Sequence, residues 1–184
     1  MNGKRNVFVA LIITSLMFVS FGINAQTKFT LNKQGVGCLK KGMLFSKIPA
    51  KCDGLYDRFE KQVIEDEMDG DYTVYSFYLG KEKTADITTY GDPAISSITV
   101  YTSNVSTPDG VNPGMPLKKL LTMKGVKGVY NDGFGLTLNG YTIGFGEMTE
   151  HGYKVFNDAY AKGTDVKLSN ACFKEGDKVL YITF

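Results

Sequence analysis

Alternation of apolar and polar positions is clearest over residues 133–146, where it predicts a hairpin. Asn139-Gly140 supplies the two positive-φ positions of a type I′ turn between two alternating runs. Thr137 and Thr142 then share the polar face with two glycines. The opposite face carries Phe134, Leu136, Leu138, Tyr141, Ile143 and Phe145. We expect this apolar face to cover a core.

Three further strands and one helix are predicted. Residues Tyr72–Leu79 are apolar on both faces, as in a strand covered on both sides. Ile95–Tyr101 and Val179–Phe184 are rich in β-branched residues, which favour strands. The acidic stretch Tyr56–Met68 has apolar positions among charges, which fits one amphipathic helix or a pair of strands. The helix is the preferred interpretation.

The sequence contains a possible internal repeat. Gly42-Met43 matches Gly114-Met115, 72 positions later, and Gly54-Leu55-Tyr56 matches Gly128-Val129-Tyr130, 74 positions later. A duplicated α+β unit, with halves 35–101 and 102–184, would explain both matches, although a glycine-rich chain also produces such matches by chance. The fold expected is therefore α+β: a mainly antiparallel sheet with few short helices, possibly duplicated.

The first 25 residues have the pattern of a secretory signal peptide. Lys4 and Arg5 precede an uncharged apolar run from Val7 to Phe21, and Ala25 suits the cleavage position. The apolar run is about 15 residues long, whereas a membrane-spanning helix needs about 20. We therefore expect a signal peptide over 1–25, a single globular domain over 26–184 without a transmembrane segment, and a periplasmic or extracellular location.

Charge argues against some partners. Removal of Lys4 and Arg5 with the signal peptide reduces the 21 basic residues to the number of acidic residues, 19. Nucleic acids and anionic membrane surfaces are bound mainly by a clustered basic excess. No nucleic acid partner is expected.

Short motifs over about residues 34–121 give a family resemblance. They are Gln34-Gly35-Val36-Gly37, Leu55-Tyr56, Asp69-Gly70-Asp71-Tyr72, Gly91-Asp92, Ile95-Ser96-Ser97-Ile98-Thr99-Val100, Thr107-Pro108-Asp109-Gly110-Val111 and Gly114-Met115-Pro116-Leu117. In this order they resemble the sigma-E-regulated lipoprotein family of bacterial envelopes. The resemblance implies a mixed α/β envelope protein without an assigned activity. The lipid-bearing cysteine of that family is missing, since the first cysteine is Cys38.

The cysteines indicate one disulfide. An oxidising compartment favours pairing, and Cys38 and Cys52 are the closest two in sequence, so we expect them to be joined and Cys172 to be a free thiol. With one histidine in the chain, there is no Cys/His set for structural zinc.

Candidate catalytic residues are few. His151 follows Glu147 and Glu150, which could together form the centre of a hydrolase or of a metal-dependent enzyme. The nucleophile elbow, the phosphate loop and the dinucleotide fingerprint are missing from the sequence, so no cofactor is expected. A surface position for His151 is the preferred interpretation, with no catalytic residue assigned.

Aromatic residues favour binding over catalysis. The chain has 11 Tyr and 12 Phe, most of which must be core. Tyr72, Tyr78 and Tyr101 are the candidates for an exposed strand face that binds a peptide, glycan or lipid. The sequence thus predicts an exported bacterial envelope protein of unknown function that binds an envelope protein or a small ligand.

Overall fold

The computed structural model describes residues 29–66, 70–130 and 133–184. The predicted signal peptide, residues 1–25, lies outside the described residues. Within them, none of the helices has the length and apolar character needed to cross a bilayer. The strands are β1 (Phe29–Thr30), β2 (Gly35–Val36), β3 (Leu39–Lys40), β4 (Arg58–Ile64), β5 (Tyr72–Leu79), β6 (Glu82–Tyr90), β7 (Ser97–Val100), β8 (Val105–Ser106), β9 (Lys127–Tyr130), β10 (Phe134–Leu138), β11 (Tyr141–Phe145) and β12 (Val179–Thr183).

Eight of these strands form one antiparallel sheet. Their order is β4-β5-β6-β7-β12-β11-β10-β9, while β1 pairs with β8 and β2 with β3 outside it. Two α-helices, α1 (Leu117–Leu120) and α2 (Glu150–Lys162), and 3-10 turns at Phe45–Lys47 and Asn170–Cys172 complete the described elements. The predicted α+β class, with a mainly antiparallel sheet and few short helices, is confirmed.

The hairpin predicted over residues 133–146 is present in the expected register. Leu136 pairs with Ile143, Thr137 with Thr142, and Leu138 with Tyr141. Asn139 has a φ of 51° and Gly140 one of 85°, as a type I′ turn requires.

The other predicted strands are present as well. β5 has the predicted bounds, whereas β7 and β12 are shorter than the predicted strands at 95–101 and 179–184.

The helix predicted for Tyr56–Met68 is wrong. Residues Arg58–Ile64 form the edge strand β4, which pairs along its whole length with β5. Phe59 and Val63 share the face of β4 that continues the buried face of the sheet, with Lys61 between them. The charges that suggested a helix are those of an exposed edge strand, where charged side chains oppose pairing with another chain.

The same pattern of backbone hydrogen bonds occurs once in each half of the predicted repeat. The N–H of Gly42 donates to Ile95 O and the N–H of Ile95 to Met43 O; likewise Gly114 N–H donates to Val179 O and Val179 N–H to Met115 O. The isolated bridges Leu44↔Ala94 and Pro116↔Lys178 correspond in the same way.

The halves meet at Thr99 and Thr183, which pair across β7 and β12 with their hydroxyls 2.8 Å apart. Duplication of the unit stays a prediction, which these matches support. The second sequence match does not correspond in the fold, because Gly54-Leu55-Tyr56 precedes β4 whereas Gly128-Val129-Tyr130 lies within β9.

The core lies on one side of the sheet. Alternate residues of its central strands are fully buried, among them Ile87, Ile98, Ile143 and Ile182. They pack in one cluster with side chains from outside the sheet, including Leu31, Leu39, Leu55, Leu120 and Phe156. We call this the inner face. The other side, the outer face, therefore carries the remaining side chains of the same strands.

Candidate functional site

A row of polar residues crosses the outer face at one level of all eight strands. Neighbours in the row are register partners in adjacent strands, so their side chains stand next to one another. Its two ends are exposed and its middle is half-buried. From one edge to the other the row consists of Glu60, Ser76, Asp86, Thr99, Thr183, Thr142, Thr137 and Lys127. Five of the six residues between the two ends therefore carry a hydroxyl.

Asp86 is the one carboxylate among the six residues between the ends of the row, and neighbouring donors compensate its negative charge. Its Oδ1 accepts from Ser76 Oγ at 2.7 Å, and its Oδ2 accepts from the Tyr101 hydroxyl at 2.7 Å. The Lys83 ammonium lies 2.7 Å from the same Oδ2. Burial, and then the hydrogen bond to Asp86, raises the pKa of Tyr101 above its usual value. Tyr101 is thereby kept as a neutral donor, and the Asp86 carboxylate is not left without compensation.

Tyrosine rings flank this row at two places. Tyr72 and Tyr90 lie at one end of β5 and β6 with ring centroids 5.4 Å apart, and Tyr101 and Tyr181 lie beyond the row with centroids 6.0 Å apart. Tyr90 is 53% exposed and Tyr181 36%. Rings that are this exposed on a folded surface offer apolar contact area together with a hydroxyl.

Cations cover two other ring faces. The Arg58 guanidinium lies 4.0 Å from the centre of the Tyr78 ring, and the Lys83 ammonium lies 4.9 Å from that of Tyr101. Arg58 also pairs with Glu60 on its own strand. These cations are held by rings and carboxylates, so they do not form an open anion site.

The Tyr181 ring is placed by a glycine. A side chain on Gly144, its partner on β11, would overlap the ring, so only glycine lets the tyrosine lie across the neighbouring strand. Beside Tyr101, a groove of about 500 Å³ continues from the outer face and is lined by Lys83, Lys178 and Leu180 among others. The outer face thus combines ring surfaces, hydroxyls and one concave end.

All three tyrosines singled out in the sequence lie on this face. Tyr72 and Tyr78 alternate with the buried Tyr75 and Phe77 along β5, and Tyr101 directly follows β7. A bulge between Phe77 and Tyr78 keeps Tyr78 opposite Lys83 on the outer side.

Sequence reasoning missed Tyr90, Tyr181 and Asp86. The strand β6 was not predicted, although four of its residues 84–89 are β-branched, which favours a strand.

His151, Glu147 and Glu150 do not form a centre. His151 and Glu150 are exposed in the first turn of α2, and Glu147 is exposed and paired with Lys174, which lowers the carboxyl pKa through its hydrogen bond. Within residues 29–66, 70–130 and 133–184, no three His, Cys, Asp or Glu side chains lie close enough to share a metal ion. The described geometry therefore does not bring these three residues together as one catalytic or metal centre.

Comparisons with known proteins show the fold. No family model and no curated protein matches the chain. Among solved structures, the chain is similar to the crystal structure of the uncharacterized protein yfeY from Escherichia coli, with a TM-score of 0.56 and 19% sequence identity. The match covers 84% of this chain and 98% of that one. At this identity the likeness concerns the fold, which is shared with a bacterial protein of uncharacterized function.

Proposed function

We propose that this chain is an exported bacterial envelope protein that binds a glycan through the outer face of its sheet. The observation that carries the proposal is the outer face itself, where a hydroxyl-rich row lies between two tyrosine pairs. Sugars present hydroxyls and apolar ring faces together, and this surface offers partners for both. The signal-like start of the chain and its resemblance to the sigma-E-regulated lipoprotein family support the envelope as the place of action.

The dimensions of the face suit an extended ligand. Tyr72 and Tyr78 are six residues apart along β5, which corresponds to about 20 Å. A chain of several sugar units could therefore contact the Tyr72 and Tyr90 rings, cross the hydroxyl row and reach Tyr181. The groove beside Tyr101 would accept a substituent at that end.

Charge selects against other ligands. A polyanion needs clustered cations that are free to pair with it, whereas Arg58 and Lys83 already lie against carboxylates and rings. A peptide that adds as a strand would use a sheet edge and its backbone groups, not the middle of a face. A neutral polar chain fits the face better than either.

Binding can be tested with soluble, neutral glycan fragments, such as oligosaccharides of N-acetylglucosamine, titrated calorimetrically. We expect Tyr90→Ala and Tyr181→Ala each to weaken binding about 10-fold, because a stacked ring contributes about 1 to 2 kcal/mol at a binding surface. Substitutions of Tyr72, Tyr78 and Tyr101 should weaken it as well. Tyr160→Ala is the matched control, since this ring is 65% exposed on α2, where it contacts the Tyr130 ring and is not part of the outer face.

Two results would contradict the proposal. One is an equal loss of binding in Tyr160→Ala and in the outer-face variants. The other is turnover of the fragments that disappears in His151→Ala, which would favour the hydrolase. We expect His151→Ala to leave binding unchanged.

Export is tested independently by the intact mass of the protein recovered from the producing bacterium. We expect a chain that starts at Gln26, because Ala25 suits the last position before cleavage. A dominant species that retains Met1 would rule out cleavage, whatever the binding result.

A further inference from the structure

Two of the three cysteines meet at one tyrosine. The Cys38 Sγ lies 3.2 Å from the Tyr56 hydroxyl, which donates in turn to Pro49 O at 2.7 Å. Cys52 and Tyr56 form an antiparallel bridge, with Cys52 N–H donating to Tyr56 O and Tyr56 N–H to Cys52 O, both at 2.9 Å. Bridge partners project their side chains to the same side, so Cys52 lies beside the ring whose hydroxyl touches Cys38.

Electrostatics agree with this placement. The pKa of Cys38 is raised to about 12, first by burial and then by a hydrogen bond with the Cys52 side chain. This agrees with the geometry, which brings both thiols to the side of Tyr56, although they are free in this structure. Cys172 belongs to another region, buried against α2, where its carbonyl accepts from Thr149 N–H.

We propose that Cys38 and Cys52 are a disulfide site, which ties down the segment between them. This segment contains the 3-10 turn Phe45–Lys47, whose Phe45 ring stacks on Tyr75 with centroids 3.7 Å apart and meets Phe59 edge-on at 5.3 Å. The segment therefore covers the inner face at β4 and β5. A bond across its base would hold this cover in place.

The reaction is a thiol–disulfide exchange with a small external disulfide. One protein thiolate attacks the external disulfide and releases one thiol, and the second protein thiol then displaces the other. The S–S bond between Cys38 and Cys52 forms as the external S–S bond breaks. The two sulfurs of the external disulfide leave as thiols, which take up the two protons and two electrons of the protein thiols. Because the thiolate is the attacking form, the bond should form faster at higher pH.

The test uses the full purified chain equilibrated with oxidised glutathione at pH 8. Digestion without reductant should yield a peptide pair joined through Cys38 and Cys52, both in the natural chain and in the matched control Cys172→Ser. The melting temperature of the oxidised natural chain should exceed that of the reduced chain by about 6 to 12 °C, as a loop of this size predicts. In Cys52→Ser this difference should disappear.

The temperature comparison on the natural chain needs no variant, so poor folding of Cys52→Ser would not affect it. Recovery of Cys38 and Cys52 as free thiols after equilibration would overturn the proposal. A bond from either residue to Cys172, or a joined pair with no gain in melting temperature, would also overturn it.

Discussion

Tyr101 has a structural role in the sheet that does not depend on a ligand. Its hydroxyl donates to Asp86 beside the Ser76 and Lys83 contacts, and its backbone N–H donates to Thr84 O. Tyr101→Phe keeps the ring and removes one of the three donors to the carboxylate. We expect it to lower the free energy of unfolding by about 1 kcal/mol, measured by urea denaturation.

The matched control for this loss is Tyr90→Phe, at an exposed ring of the same face, where a change below about 0.5 kcal/mol is expected. Equal losses in the two variants would show that Asp86 does not depend on the Tyr101 donor.

At the scale of the elements, the hairpin could be predicted from the residues of its turn, whereas the edge strand β4 could not be predicted from its own residues. Asn139-Gly140 sets its hairpin from neighbouring residues alone, so register and bounds could be predicted from sequence. β4 is a strand because it pairs with β5 along its whole length. The spacing of Phe59 and Val63 fits a helix as well as a strand, so the residues of β4 alone do not reveal this pairing. The outer face could not be predicted for the same reason, because Asp86 and Tyr181 come to one region only through the order of strands that joins β7 to β12.

The packing along β4 can be tested at two positions of the same strand face. Phe59 contacts the rings of Phe45 and Phe77, whereas Val63 is 55% exposed at the far end of the strand. Phe59→Ala should cost about 2 kcal/mol of stability and Val63→Ala about 0.5 kcal/mol or less, measured by thermal and urea unfolding. Comparable losses in the two variants would contradict the packing of Phe59 against the two rings and the exposure of Val63 at the end of β4.

Across the whole molecule, several weak acids are held in their neutral form. Burial is the main cause in each case: it raises the pKa of Cys38 to about 12 and raises the pKa values of Tyr56, Tyr101 and Tyr141 above the usual value of 10.0. In the unfolded chain the thiol would ionise near pH 9.0 and the phenols near pH 10.0. The unfolded state therefore loses protons first as the pH rises.

This difference fixes the sign of the pH dependence. The stabilising contribution of these groups is fully present below pH 9 and is lost as the pH rises from 9 towards the folded-state values, by at most about 1.4 kcal/mol per pH unit for each group. We expect a stable urea midpoint up to pH 9 and a steep fall between pH 9 and 11. Tyr101→Phe should fall less steeply, because it lacks one of these phenols. Oxidation of Cys38 should remove the part of the fall that begins near pH 9, since a disulfide has no proton to lose. A midpoint that rises above pH 9 would show that these groups ionise more readily in the folded chain, and that burial does not govern them.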